Sequence, residues 1–111
     1  MAKVEQYRQI IKELLQAYSQ FKSSNEEVEA EVIFDSDRDR YQLVHAGWSN
    51  KRRIYGCILH LDIKNEKIWI QHDGTEGGIA NELTNRGIPK QDIVLAFHSP
   101  FKRQFTEFAV G

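Results

Sequence analysis

The segment Lys67–Gly87, KIWIQHDGTEGGIANELTNRG, decides how the chain folds, because it predicts a strand, a glycine-rich turn and a short helix. Ile68 and Ile70 alternate with polar or aromatic neighbours, which gives the strand one apolar face. Asp73-Gly74 ends the strand, since glycine adopts the positive φ that a tight turn needs. We expect this strand to complete a sheet built by the residues that precede it.

The helix that follows the turn carries signals at both of its ends. Thr75 is the predicted N-cap, and Glu76 would lie in the first turn, near the positive end of the helix dipole. The buried face would comprise Ile79, Ala80 and Leu83. Gly87 is the predicted C′ residue, with Pro89 just beyond it. The helix is therefore expected to be short.

Length and composition predict a single domain over residues 1–111. The chain has 111 residues, 41% of them hydrophobic and 28% charged, which is enough for a core without disulfides. A formal net charge of -1 argues against a protein that coats nucleic acid, although it allows a local basic patch. The single cysteine, Cys57, permits no intrachain disulfide, as is usual in a reducing cytosol.

The N-terminus predicts a helix and no secretion signal. Apolar residues recur every three or four positions from about Val4 to about Phe21, in a charged, amphipathic pattern. The stripe is wide, which favours a helix packed across a sheet over the narrower seam of a coiled coil to another subunit. Ser23-Ser24-Asn25 would end it. No run approaches the roughly 20 apolar residues of a membrane span, so we expect a cytoplasmic protein without membrane contact.

Alternating patterns predict strands at Val28–Phe34, Tyr41–Trp48 and Arg53–Lys64. The third strand would present one continuous apolar face of Tyr55, Cys57, Leu59, Leu61 and Ile63. Lys64–Lys67 reads as a tight hairpin, so the next strand would pair antiparallel. The expected fold is α+β: an antiparallel meander of about four strands covered by the long N-terminal helix, with a second short helix and an aromatic-rich C-terminal segment.

The apolar run within residues 92–97 is ambiguous between a strand and a helical turn. Periodicity alone does not separate these two structures in so short a segment. The β-branched residues Ile93 and Val94, and the preceding Pro89, favour an extended conformation.

The glycine-rich turn is the first candidate for chemistry. Backbone N–H groups at a helix start can bind phosphate, but no phosphate-loop lysine follows, and the turn carries two carboxylates that would repel an anion. A return of the C-terminal segment could instead build a metal or small-ligand site, although no metal-ligand spacing motif is present. The candidate ligand- or partner-binding residues here are His72, Asp73, Thr75, Glu76, His98 and Glu107.

Nucleophilic catalysis has little support in the sequence. Cys57 falls in an apolar run, where a buried and inert thiol is expected. Ser99 precedes a proline in a loop and lacks a nucleophile-elbow motif. We therefore expect no catalytic residues, no cofactor and no metal.

A basic cluster, Lys51, Arg52 and Arg53, stands beside Trp48. These residues could contact DNA, with the cations on phosphates and Trp48 stacking on a base. The alternative is a solvated hairpin tip, and the acidic residues Asp35, Asp37 and Asp39 would weaken a positive field.

The last fifteen residues are rich in phenylalanine. Phe97, Phe101, Phe105 and Phe108 lie close together, next to Pro100 and Glu107. Such side chains must be buried either in the core of the protein itself or against a partner or second subunit, where aromatic residues are enriched. The sequence leaves both alternatives open, so Phe101, Phe105 and Phe108 join the partner-binding candidates.

Several short sequence motifs of this chain also occur in one known family. They are His72–Glu76, Ile79-Ala80, Glu82-Leu83, Gly87–Lys90, Asp92–Leu95, Phe97-His98 and Thr106–Val110, with Tyr41-Gln42, Gly47-Trp48, Arg53, Tyr55-Gly56 and His60 to Ile63 upstream. Through these motifs the chain resembles the XisI-like family, which comprises the fdxN element excision controlling factor proteins of cyanobacteria. The resemblance covers essentially the whole chain.

The resemblance implies an accessory protein of programmed DNA rearrangement, which helps a site-specific recombinase to excise a DNA element. The near-neutral charge, the missing catalytic constellation and the aromatic C-terminal segment favour a non-enzymatic role, exerted by binding an XisH-like companion protein or the recombinase complex. The resemblance supplies no catalytic residues. Direct DNA binding through Trp48 and Lys51–Arg53 remains the alternative, a site at His72–Glu76 is a further one, and a homo-oligomer is possible.

Overall fold

A computed structural model describes residues 2–20 and 27–111 and has the α+β fold predicted from the sequence. The elements are helix α1 (Ala2–Ser19), strands β1 (Val28–Asp35), β2 (Arg40–Ser49), β3 (Arg52–Lys64) and β4 (Lys67–Asp73), helix α2 (Ile79–Asn85), a 3₁₀ turn (Lys90–Asp92), strand β5 (Ile93–Leu95) and helix α3 (Pro100–Arg103). Among residues 2–20 and 27–111, none of the helices has both the length and the hydrophobicity of a membrane span.

The five strands form one sheet in the order β1-β2-β3-β4-β5. The first four strands are the predicted antiparallel meander. β5 adds a fifth strand, parallel to β4, so the sheet is mixed and mostly antiparallel. A parallel neighbour requires a crossover, and the segment that contains α2 provides it. The ambiguous run is extended from Ile93 to Leu95.

Two hairpins use two-residue turns in which both residues have positive φ. Asn50 and Lys51 (φ 49° and 69°) join β2 to β3, and Asn65 and Glu66 (φ 55° and 62°) join β3 to β4. This is the type I′ geometry, whose twist matches that of the flanking strands. The hairpin predicted at Lys64–Lys67 is confirmed.

Helix α1 packs across the sheet, as its wide apolar stripe predicted. Its buried residues are Tyr7, Ile10, Ile11, Leu14 and Leu15. They join one core cluster with Tyr41 and Leu43 of β2 and with Leu59 and Leu61 of β3. The predicted helix end at Ser23-Ser24-Asn25, and Phe21 before it, lie outside the described residues.

Strand β3 corrects one prediction, because its apolar face is not continuous. Leu43 pairs with Leu59 and Val44 pairs with Cys57, so Ile58 is an extra residue in a β-bulge. A bulge shifts the in-and-out alternation of a strand by one position. Leu59 and the following alternate residues face the core, whereas Tyr55 lies on the other side of the sheet and is 73% exposed.

Candidate functional site

Asp73 organises the glycine-rich turn through three hydrogen bonds. Its Oδ1 accepts from the backbone N–H of Thr75 (2.9 Å) and from the Thr75 hydroxyl (2.6 Å). Its Oδ2 accepts from the N–H of Ile79, the first residue of α2 (2.8 Å). Asp73 therefore caps the helix across the turn. The prediction that Thr75 is the N-cap was wrong: Gly78 occupies that position, with φ 84°, and Glu76 lies before the helix.

The other end of α2 confirms Gly87 as the C′ residue. Gly87 has φ 94° and donates its N–H to the carbonyl of Thr84 (3.0 Å). Ile88 donates to the carbonyl of Leu83 (3.2 Å), and this pair of bonds is a Schellman motif. Ile88 is buried, so the motif also directs the chain back towards the core.

The remaining members of the candidate ligand site make separate contacts. The Glu107 carboxylate pairs with the Lys90 ammonium at 2.8 Å, and this hydrogen bond holds the pKa of Glu107 below its ordinary value. The His98 ring packs against Phe97, with the ring centroids 4.6 Å apart. His72 pairs across the strands with His60. Among the described residues, no three His, Cys, Asp or Glu side chains are grouped to hold a metal ion.

A polar network that the sequence did not predict crosses β2, β3 and β4. Asp62 is only 7% exposed, and its Oδ1 lies 2.9 Å from His60 Nε2. Its Oδ2 accepts from the Gln71 amide (3.2 Å) and lies 3.4 Å from the Arg40 guanidinium. The Gln42 amide lies 3.3 Å from the other ring nitrogen of His60. Both nitrogens of the ring are therefore engaged in holding the sheet together.

An aromatic and arginine cluster lies exposed near the β2–β3 hairpin, on the side of the sheet opposite α1. The Arg53 guanidinium carbon lies 5.6 Å from the ring centroid of Trp48 and 5.9 Å from that of Tyr55. Arg53 also donates to the carbonyl of Gly47 at 3.3 Å. We call Trp48, Arg53 and Tyr55 the stacking cluster. Trp48 and Arg53 were predicted from the sequence, whereas Tyr55 was predicted on one apolar face with Leu59 and Leu61, because the bulge at Ile58 leaves no sequence signal.

Gly47 fixes the position of Trp48. A Cβ on Gly47 would lie 2.1 Å from the carbonyl oxygen of Glu27, so only glycine allows the start of β1 to approach this closely. The same approach lets the Trp48 N–H donate to that carbonyl at 3.2 Å. The backbone of β2 at Trp48 is thus bonded to β3 on one side and to the start of β1 on the other.

The cations in and beside the stacking cluster have no carboxylate partner in the described part of the chain. Lys51, Arg52 and Arg53 form no ion pair there. Four other arginines are neutralised by carboxylates, namely Arg8, Arg38, Arg40 and Arg86. The hairpin therefore carries a local excess of positive charge on a protein whose net charge is -1.

The C-terminal phenylalanines divide between core and surface. Phe108 packs against the core cluster. Phe101 and Phe105 are 66% and 75% exposed, and their rings meet edge to face with centroids 5.3 Å apart. Phe97 is also exposed. We call Phe97, Phe101 and Phe105 the phenylalanine surface.

Several bonds hold the phenylalanine surface in place. The Ser99 hydroxyl accepts from the Lys102 N–H at 3.3 Å and caps α3, which has Pro100 in its first turn. Arg103 donates to the carbonyls of His98 (3.0 Å) and Ala96 (3.4 Å). These contacts fix the one-turn helix against the end of β5, so its phenylalanines are presented to solvent from a constrained backbone.

Both the sequence and the fold of this chain match those of known proteins. The family model described as "XisI protein" matches residues 1–110. A crystal structure of a XisI-like protein from Anabaena variabilis ATCC 29413 is 40% identical, with a TM-score of 0.89 over 96% of this chain and 97% of that one.

A second crystal structure, of fdxN element excision controlling factor XisI from the same organism, is 41% identical. Its TM-score is 0.84, over 98% of this chain and 99% of that one. No curated protein matches the chain. The match to the family over nearly the whole sequence, supported by both structures, shows that the chain belongs to the XisI family.

Proposed function

We propose that this protein controls the excision of a DNA element without catalysing a reaction, by binding a protein partner through the phenylalanine surface. The partner is an XisH-like companion protein or the recombinase complex that cuts and joins the DNA. Membership of the XisI family, and a relative named as an excision controlling factor, support the biological role. The exposed phenylalanines support the mode of action.

The single observation that carries the proposal is the exposure of Phe101 and Phe105 on a constrained backbone. Full burial of one such side chain contributes about 1.5–3 kcal/mol, which here is left unused in the isolated chain. Aromatic residues are enriched in interfaces between proteins. A surface that is already ordered also loses little conformational entropy on binding.

Three carboxylates that could take part in chemistry are occupied by structural contacts, which supports a non-enzymatic role. Asp73 caps α2, Glu107 pairs with Lys90, and Asp62 is bonded within the sheet network. Burial raises the pKa of the Cys57 thiol. A raised thiol pKa lowers the thiolate fraction and with it the nucleophilicity of the side chain.

Co-purification with an XisH-like companion, followed by titration calorimetry, tests the proposal. The double substitution Phe101→Ala with Phe105→Ala should weaken the complex more than tenfold, because it removes two exposed aromatic contacts. Tyr55→Ala removes an equally exposed aromatic side chain from another part of the surface and should leave this affinity unchanged.

Two outcomes would contradict the proposal. The companion could fail to bind the wild-type chain even at high micromolar concentration, in which case the surface serves no such partner. Alternatively, the double variant could bind as tightly as wild type. If the wild-type chain self-associates and the double variant does not, the surface belongs to a contact between two copies instead.

A further inference from the structure

We propose that the stacking cluster and the adjoining hairpin bind single-stranded DNA, with unpaired bases on Trp48 and Tyr55 and phosphates on Lys51 and Arg52. The choice of DNA rather than RNA rests on the proposed role in element excision. The rest of the inference rests on geometry and charge at the β2–β3 hairpin, and it involves none of the residues of the phenylalanine surface.

Strand register sets the spacing of the two rings. Trp48 and Arg53 are direct cross-strand partners, and Tyr55 is two residues further along β3. Side chains in such a diagonal arrangement lie about 7–8 Å apart on one face of a sheet. The Arg53 guanidinium lies within 5.9 Å of both ring centroids and stiffens the cluster. Each ring keeps an exposed surface, since Trp48 and Tyr55 are 50% and 73% exposed.

This arrangement suits unpaired bases better than a duplex. An aromatic ring stacks on the flat face of a base, and in a duplex those faces are already covered by neighbouring bases. Each stacked base strengthens single-strand binding by about 5- to 150-fold. The bulge at Ile58 is what makes the platform, because it brings Tyr55 to the same side as Trp48.

Charge on the hairpin complements a phosphate backbone. Lys51 and Arg52 lie at its tip without carboxylate partners among the described residues, which leaves their charge available for phosphates. By strand alternation, Glu29 and Glu31 of β1 lie on the same side of the sheet, and Glu29 pairs with Ala46, which in turn pairs with Tyr55. These carboxylates repel phosphate, so the DNA strand should follow the hairpin and avoid β1.

With few cations, the complex should be weak and sensitive to salt. For single strands, the logarithm of the binding constant falls with the logarithm of salt concentration by about 0.7 for each neutralised phosphate. The two cations assigned to phosphates, Lys51 and Arg52, therefore predict a slope of about -1.4. Removing Lys51 and Arg52 together should reduce the magnitude of the slope by about 1.4.

Fluorescence anisotropy with a labelled oligodeoxythymidylate of about 12 nucleotides, at low salt, tests the inference. Trp48→Ala and Tyr55→Ala should each weaken binding at least fivefold, whereas Tyr55→Phe, which keeps the ring, should retain the affinity. Phe105→Ala and Lys102→Ala change an equally exposed ring and an exposed cation elsewhere, and should leave the affinity unchanged. A thermal melt of each variant confirms that it is folded.

Any of three results would overturn the inference. They are no binding of the oligonucleotide at the lowest salt, equal or tighter binding of a duplex or an oligouridylate of the same length, and a loss in Phe105→Ala as large as that in Tyr55→Ala. Failure here with an intact companion complex would leave the proposed function standing. Loss of the companion complex in the phenylalanine variants, with oligonucleotide binding unchanged, would show that the two surfaces act independently.

Discussion

At the turn before α2, the Asp73 carboxylate orders the backbone through three hydrogen bonds. Asp73 joins the end of β4 to the first turn of α2 through its bonds to Thr75 and Ile79, while Gly78 supplies a positive φ and no side chain. From the sequence, Asp73 is a candidate ligand- or partner-binding residue. Its three hydrogen bonds leave it little capacity to bind anything else, so we assign it a structural role.

Replacing Asp73 with alanine should therefore lower the free energy of unfolding. Three hydrogen bonds are lost, including the cap of α2, and loss of a helix cap costs about 0.5–2 kcal/mol. Asp73→Asn keeps one oxygen acceptor and should cost less. Urea unfolding measures both effects. Glu76→Ala, at an exposed position two residues after Gly74, is the control and should stay within about 0.5 kcal/mol of wild type. An unchanged Asp73→Ala stability would remove the structural assignment.

The turn residue Glu66 is strained by its backbone conformation. It has φ 62°, a left-handed conformation that costs a residue with a Cβ about 1–2 kcal/mol. Glu66→Gly produces the Asn-Gly pair preferred in type I′ turns and should raise the free energy of unfolding by about 0.5–1 kcal/mol, after the entropy cost of glycine.

The matched control for that turn is Glu66→Ala. Alanine removes the same charge but keeps a Cβ, so thermal melting should show no comparable gain. If the alanine and glycine variants gain equally, the strain argument is wrong and the charge of Glu66 is the cause.

Among the elements, α1 is held to the rest of the fold by two carboxylates of other segments, which bind side chains in its first two turns. Asp39, at the end of the β1–β2 loop, accepts from Arg8 Nε at 2.6 Å and from Arg8 Nη2 at 3.1 Å. Asp92, beside β5, accepts from the Tyr7 hydroxyl at 2.5 Å and pairs with Lys3 at 3.0 Å. The helix is thus anchored to both halves of the chain.

These anchors predict a loss of stability in acid. The hydrogen bond from Arg8 holds the pKa of Asp39 below its ordinary value, against the opposing effect of burial. Burial raises the pKa of Asp92, but the bonds from Tyr7 and Lys3 outweigh it, so that this pKa is also lowered. Groups with a lowered pKa in the folded state stabilise the protein above the unfolded value of about 3.9, and this contribution disappears as the pH falls through the folded value.

Urea unfolding at a series of pH values between neutral and about 2 checks this prediction. Asp39→Asn should be less stable than wild type at neutral pH and should lose less stability on acidification, because the carboxylate that titrates is gone. Asp37→Asn, which alters an exposed carboxylate in the same loop, should follow the wild-type curve. Parallel curves for Asp39→Asn and wild type would contradict the role given to Asp39.

A structural feature could be predicted from the sequence when the residues that determine it are close together in the chain. The apolar stripe of α1, the hairpin at Asn65-Glu66 and the C′ glycine at Gly87 depend on neighbours within a few residues, and all three were predicted. The bulge at Ile58 depends on how β3 registers with β2. The capping by Asp73 spans six residues across a loop. Such relations have no short-range pattern, and the bulge is what puts Tyr55 on the exposed face.

At the scale of the molecule, the sheet divides the surface into two kinds of region. One face is covered by α1 and α2, whose apolar residues share a core with the strands. The stacking cluster lies on the other face, and the phenylalanine surface lies beyond β5. Their separation along the chain and in chemistry is what allows a protein contact and a nucleic-acid contact to be proposed for one small protein.

The free edge of the sheet is the remaining feature at this scale. No strand among the described residues pairs with the outer edge of β1. An unpaired edge can join the edge of a second copy, and charged side chains commonly prevent this. Glu29 and Glu31 are exposed on β1, so two copies approaching edge to edge would bring four carboxylates together. With a net charge of only -1, the protein has little other electrostatic repulsion between copies.

Neutralising this edge should therefore increase self-association. In analytical ultracentrifugation, the double variant Glu29→Gln with Glu31→Gln should sediment as a mixture of monomer and larger species. At the same concentration, the wild-type chain should have a lower average sedimentation coefficient. The double variant Glu76→Gln with Glu82→Gln changes the net charge by the same amount away from the edge, so it separates repulsion at β1 from a general change in net charge. If both double variants associate equally, net charge governs the behaviour. If only the β1 variant associates, the carboxylates of β1 keep the edge unpaired.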